Sequence, residues 1–323
     1  MHNNQPTALP LETIQEIVSW IEPQYEPWKY RALCRYLRLS LSDPFFVRRN
    51  LESTLGSGLD FETETQVSSK RVRKPAHSDY SWLKWPADYQ EIYASRYLSS
   101  LTEISWPHGV FKVVEDTKPN TIPKAVAKLH NLRVLDLRHN KLSSSIPPEL
   151  CLSLKKLVNL NLSNNMLSGH IPHEVGALEA LVSLNLEYNR LEGPIPVAVF
   201  QLSKLEVLSL GHNFLDGSIL PDIQNFVNLR ILSLESNKLT GCIPTEFGNL
   251  IHIESIHLAL NKLSGRVPAT QLSNLPRLRV LTLGGNKFKD IHDFKNYANP
   301  ADLENIVRIQ SQPSFFLSKL LSF

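Results

Sequence analysis

Leucine recurs with a fixed period through the middle of this chain, and that period constrains the fold more than any other feature. Of 52 leucines in 323 residues, 36 fall between Leu129 and Leu283. Aligned on L-x-x-L-x-L-x-x-N, seven registers open at Leu132, Leu157, Leu181, Leu205, Leu229, Ile253 and Leu278, with steps of 24 or 25 residues. The asparagines keep pace at Asn140, Asn165, Asn189, Asn213, Asn237, Asn261 and Asn286. Within a unit, Leu160 and Leu162 alternate with Asn159, Asn161 and Ser163. A period of two describes a short strand with one buried and one wet face. Asn165 then falls at a turn, where a buried amide can bond backbone groups that no ladder satisfies. Pro172 discourages a helix in the stretch from Leu167 that it ends, and Val175 and Leu178 suit one or two helical or 3₁₀ turns on the outer side. One such unit cannot bury its own leucines, so neighbours must stack. The expected architecture is an α/β solenoid, a right-handed superhelix with parallel strands on its concave side and a small all-α segment before it.

These units resemble the leucine-rich-repeat family, and its plant-type subclass in particular, which adds L-x-G-x-I-P after the asparagine. The matches are Leu167-Gly169-Ile171-Pro172, Leu191-Gly193-Ile195-Pro196 and Leu239-Gly241-Ile243-Pro244. Ser144 occupies the glycine position of the first unit. Leu220 takes the proline position of the fourth, with Pro221 following, and the sixth has Val267-Pro268 and one extra residue before Leu275. Upstream, Leu101-x-x-Ile104-x-Trp106 and Thr121-Ile122-Pro123 read as a degenerate capping repeat with an insertion, so the array is expected over 101–290. Residues 291–323 read as a C-terminal cap or tail, with a short helix from Asp302 to Ile309.

Residues 9–51 read differently. Leu11, Ile14, Ile17, Val18 and Ile21 have helical spacing after Pro10, and Tyr30, Leu33, Cys34, Leu37 and Leu41 share a face in a second stretch that Asp43-Pro44 stops. This segment resembles an F-box through Leu9-Pro10-x-Glu12, Ile14, Ile17, Trp20-Ile21, Pro23, Leu33-Cys34-Arg35 and Ser42-Asp43-Pro44. The resemblance implies contact with a Skp-type adaptor at Leu9, Pro10, Ile14, Ile17 and Leu33. The same helices also suit a plain cap on the array. Residues 52–100 form an aromatic-rich flank, and its basic run Lys70-Arg71-x-Arg73-Lys74 reads as a solvated linker or an import patch.

Composition narrows the function. Charged residues make up 20% and hydrophobic ones 42%, which excludes a mostly disordered chain. A net charge of +3 is weaker than a dedicated nucleic-acid binder shows. No apolar run reaches the roughly 18 residues of a spanning helix, and the N-terminal residues lack the basic-then-apolar order of a secretory signal. Cys34, Cys151 and Cys242 are scattered without metal spacing, which suits reduced thiols. The expectation is a monomer in the cytoplasm, with the nucleus as a second compartment, and with no membrane contact.

No catalytic or phosphate-binding motif is present. His170 and His173 sit too close to the proline turn to read as a metal pair, so neither metal nor cofactor is expected. What remains is the concave face. One column runs Asp136, Asn161, Asn185, Ser209, Ser233, His257 and Thr282. The next runs Arg138, Ser163, Glu187, Gly211, Glu235, Ala259 and Gly284, and beside it His139, Asn164, Tyr188, His212, Ser236, Leu260 and Gly285. Tyr188, flanked by Glu187, Glu235 and His212, is the expected anchor for a protein partner, with Arg138, Asn161, Asn185 and His257 around it. The Ser and Gly positions promise little shape. The sequence therefore points to a non-enzymatic protein-binding module, read first as a substrate receptor of a cullin-type ubiquitin ligase. An intracellular repeat scaffold with a helical cap is the second reading, and a receptor-like ectodomain a distant third.

Overall fold

The computed structural model describes residues 90–91, 94–95, 98–106 and 121–289. The F-box-like segment 9–51, the basic run and the C-terminal helix expected at Asp302 lie outside these residues. The chain divides into two compact units, Met1–Ser100 with Pro123–Leu129, and Leu101–Ile122 with His130–Phe323. In the first, Gln90, Glu91, Ala94 and Ser95 are helical, and Leu98 N–H donates to Ala94 C=O at 3.1 Å. Lys124–Lys128 forms a 3₁₀ helix, and Lys128 Nζ lies 3.5 Å from Glu91 Oε2.

The second unit holds the array. Eight short strands, Glu103–Ser105, Val134–Asp136, Asn159–Asn161, Ser183–Asn185, Val207–Ser209, Ile231–Ser233, Ser255–His257 and Val280–Thr282, pair in chain order as one parallel sheet. The first joins Glu103 to Val134 and Ser105 to Asp136, so the degenerate repeat at 101–106 stacks like the regular ones, with Ile104 and Trp106 buried. The register aligns Leu135, Leu160, Leu184, Leu208, Leu232, Ile256 and Leu281 as one buried row. Parallel strands need crossovers, and here each crossover carries a single short helix. These are His173–Ala177, Val197–Gln201, Pro221–Asn225 and Thr245–Asn249 as 3₁₀ turns, and Pro148–Ser153 and Ala269–Ser273 as α-helices. The motif proline caps most of them in extended conformation, as at Pro172, Pro196 and Pro244. In the fourth repeat Pro221 becomes the first helical residue instead, where its missing N–H costs nothing.

The asparagines bind the repeats together. Asn213 is buried; its Nδ2 donates to Leu186 C=O of the preceding repeat at 3.0 Å and to Leu210 C=O of its own at 3.1 Å. Its Oδ1 accepts from Leu191 N–H of the preceding repeat at 3.0 Å. Asn165, Asn189, Asn237, Asn261 and Asn286 repeat this pattern one step at a time. These turn groups lie beyond the strands, and without the amide they would be buried unpaired.

Past the asparagine the chain forms a second set of parallel pairs. Four strands, Ser143–Ser144, Met166–His170, Arg190–Pro194 and Phe214–Asp216, make one sheet, and Ser264–Gly265 pairs with Lys287–Phe288. The motif glycines here are left-handed, with φ of 71 to 80° from Gly169 to Gly265. Ser144 holds the same conformation at φ 92°, a position where a side chain is strained.

Three outcomes follow from this framework. Asn213→Ala is expected to destabilise the protein by about 3 kcal/mol, because it orphans buried donors and acceptors in two repeats. Asn249→Ala, which removes only an exposed bond to Gln224, should leave the urea midpoint nearly unchanged. Ser144→Gly is expected to raise the midpoint, by about 1 kcal/mol in stability, as the left-handed strain is relieved.

Candidate functional site

The solvent side of the eight-stranded sheet carries the candidate residues. Its register places Asp136, Asn161, Asn185, Ser209, Ser233, His257 and Thr282 opposite one another in successive strands, the first column of the sequence reading. These positions are not uniformly wet. Ser209 and Ser233 are buried, as is Ser163 in the second column. Nor are all of their polar groups free. Asp136 Oδ1 accepts from Arg138 N–H at 3.1 Å, Asn161 Oδ1 from Ser163 N–H at 3.1 Å, and Asn185 Oδ1 from Glu187 N–H at 3.0 Å. Asp136, Asn161 and Asn185 thus close the ends of their own strands.

The third column needs correction. His139, Asn164, Tyr188, His212, Ser236, Leu260 and Gly285 are not strand residues; all seven have φ between 54 and 72°. A period of two cannot continue through a left-handed residue. The chain turns at this point so that the next residue, the ladder asparagine, enters the core. In the central repeats the same turn brings Tyr188 and His212 together.

The central repeats build a compact group. The Tyr188 and His212 rings stack, with centroids 4.1 Å apart and planes 8° from parallel. His212 Nε2 lies 3.4 Å from Glu235 Oε1, close enough for an ion pair when the ring is protonated. Glu187 reaches two strands across, where Ser233 Oγ donates to its Oε1. Gly211 makes that reach possible. A Cβ there would meet Ser233 Oγ at 3.0 Å, Glu187 Oε1 at 3.3 Å and Glu235 Cγ at 3.3 Å. The small residues at 211 and 233, which promised little shape in the sequence, form the floor between two carboxylates. The alignment of Glu187, Gly211 and Glu235 in one column held that signal, and the hydrogen bond to Ser233 did not show in it.

The electrostatics follow from this packing. His212 chiefly, with His257 adding to it, holds the Glu235 carboxyl below its usual range against the opposing effect of burial. Burial pushes the Tyr188 phenol up, and Glu187 and then Glu235 push it the same way. Arg138 stands apart, exposed and 3.3 Å from Asp136. Elsewhere, Cys151 is buried and its thiol is pushed up to about 12, chiefly by that burial and secondly by Glu174, whereas Cys242 is exposed. Among the described residues, no three His, Cys, Asp or Glu are grouped to hold a metal ion, and no helix is long and apolar enough to cross a membrane.

Leucine-rich-repeat family profiles match residues 115–167, 130–191, 204–226 and 227–288, together half of the chain. The chain belongs to the leucine-rich-repeat family. Among curated proteins, a stretch of 47 residues is 53% identical to the serine/threonine-protein kinase BRI1-like 1 of Arabidopsis thaliana, covering 15% of this chain and 4% of that kinase. Among solved structures, the repeat array is similar to the ectodomain of the plant membrane receptor kinase GASSHO1/SCHENGEN3 of Arabidopsis thaliana in complex with CASPARIAN STRIP INTEGRITY FACTOR 2. That likeness has a TM-score of 0.56 at 29% identity, over 68% of this chain and 24% of the other. It is also similar to the Arabidopsis receptor kinase HAESA in complex with the peptide hormone IDA and the co-receptor SERK1, with a TM-score of 0.53 at 34% identity, over 58% and 31%. The chain therefore spans a small part of each relative.

The site has a defined pH response. Because the folded state lowers the Glu235 pKa, its contribution to stability is present above the ordinary carboxylate range and is lost as pH falls through the lowered value. Thermal melts from about pH 6 down to about pH 3 should show wild type losing stability more steeply than Glu235→Gln.

Proposed function

We propose that the protein acts by binding, without catalysis, and that the solvent face of its repeat sheet docks an extended segment of a protein or peptide partner. The observation that carries this reading is the Tyr188–His212 stack beside Glu235, at the centre of the seven regular repeats. A preassembled aromatic pair loses little side-chain freedom on binding, and aromatic residues ringed by polar ones are the usual energetic centre of an interface. The complexes of GASSHO1/SCHENGEN3 and HAESA support a protein or peptide as the partner class. Panning a library of displayed peptides on the full chain tests this. Wild type should enrich specific sequences, and Tyr188→Ala with His212→Ala should lose most of that binding while retaining the fold by circular dichroism. No enrichment on folded wild type, or enrichment unaffected by the variant, would overturn the reading.

The F-box-like pattern favours a finer version, in which residues 9–51 contact a Skp-type adaptor and the repeats select a substrate for a cullin-type ubiquitin ligase in the cytoplasm or nucleus. Its support is the sequence pattern alone, from Leu9-Pro10 through Ser42-Asp43-Pro44. A pull-down of the full chain with a Skp-type adaptor should capture it, and Ile14→Asp with Ile17→Asp should abolish capture. Failure of the folded wild type to bind would leave an adaptor-free repeat protein, whether scaffold or receptor-like.

A further inference from the structure

A second surface, on the short strands that follow the ladder asparagines, is chemically unlike the first. Lys238, Lys262 and Lys287 each come directly after a ladder asparagine, and all are exposed. Their N–H groups donate to Leu215 C=O at 2.8 Å, Leu239 C=O at 2.8 Å and Leu263 C=O at 2.7 Å, which fixes each lysine one repeat beyond the last. Alternation along these strands turns Leu239 and Leu263 into the core and leaves Thr240, Ser264 and Lys289 on the lysine side. Ser264 lies directly opposite Lys287, and Lys289 N–H donates to Gly265 C=O at 3.1 Å, which brings Lys289 alongside Arg266.

Like charges placed side by side on paired strands repel. Elsewhere the same fold avoids this by alternating sign. At the entry to the main sheet Arg230 stands between Glu206 at 3.9 Å and Glu254 at 2.8 Å, one repeat to either side. On the second surface, Lys238, Lys262 and Lys287 follow one another through three repeats with Thr240 and Ser264 interleaved, and a carboxylate, Asp216, enters only at the Lys238 end.

We propose that this lysine strip is a docking surface for an acidic, extended segment of a partner protein. Carboxylates of such a segment would meet ammonium groups and hydroxyl donors along one narrow line. The strip's borders decide against broader anionic partners. Glu192 and Asp216 occupy the neighbouring strands, where a flat anionic membrane would press against them. Phe214, beside the strip, is already covered by Lys238 Nζ at 4.9 Å from its ring centre, which withholds that ring as a stacking platform for single-stranded nucleic acid.

The test measures binding of poly-L-glutamate to the full chain at several salt concentrations, in parallel with phosphatidylserine-containing vesicles and oligothymidylate. Poly-L-glutamate should bind, weaken as salt rises, and lose about tenfold in affinity in Lys262→Glu with Lys287→Glu. If that variant fails to fold, Lys262→Gln with Lys287→Gln should show the same loss in smaller measure. Binding unchanged in a folded variant would overturn the proposal. So would no binding of poly-L-glutamate, or tighter binding of vesicles or oligothymidylate.

Discussion

The side-chain amide of the ladder asparagine is the contact on which the rest of this protein depends. A strand of three residues supplies few ladder hydrogen bonds, and the chain must leave it through a turn whose backbone groups are buried. One asparagine satisfies groups in its own repeat and in the repeat before it, as Asn213 does with Leu210, Leu186 and Leu191. Aspartate could accept but not donate, and glutamine would carry its amide one methylene further than the turn allows. The period of the sequence is therefore a period of amides as much as of leucines.

That constraint leaves the outer surfaces free to differ. The residue before each asparagine must be left-handed, yet its side chain can vary, and the chain places Tyr188, His212 and Leu260 at this same station. Strain at these positions is tolerated because the following amide fixes the turn. The result is a rim where an aromatic stack can form across neighbouring repeats, with Gly211 leaving room for the carboxylates beside it.

The parts legible in the sequence were those written in every repeat. Leucine rows, asparagine ladder and short outer helical turns each rest on local chemistry that recurs, so one unit explained the others. The grouping of Tyr188, His212 and Glu235 was also legible, because register in a parallel array carries one repeat onto the next. The period of two failed at His139 and its equivalents, since alternation holds only while the backbone stays extended. The bond from Ser233 to Glu187 was hidden for a different reason: it joins residues 46 apart and depends on how a flexible side chain folds over a glycine. The lysine strip emerges only with the stagger of the second strands, where Ser264 rather than Lys262 faces Lys287.

Because each amide ties a repeat only to its predecessor, order along the described repeats is passed chiefly hand to hand. Opening should begin at an end and advance one repeat at a time, with each step freeing the next. A residue's protection against hydrogen exchange would then measure its distance from the nearer end of the row. Tyr188, His212 and Glu235 occupy the third, fourth and fifth of seven regular repeats. They stand where such unzipping arrives last, and the rigidity of the stack is lent by repeats it never touches.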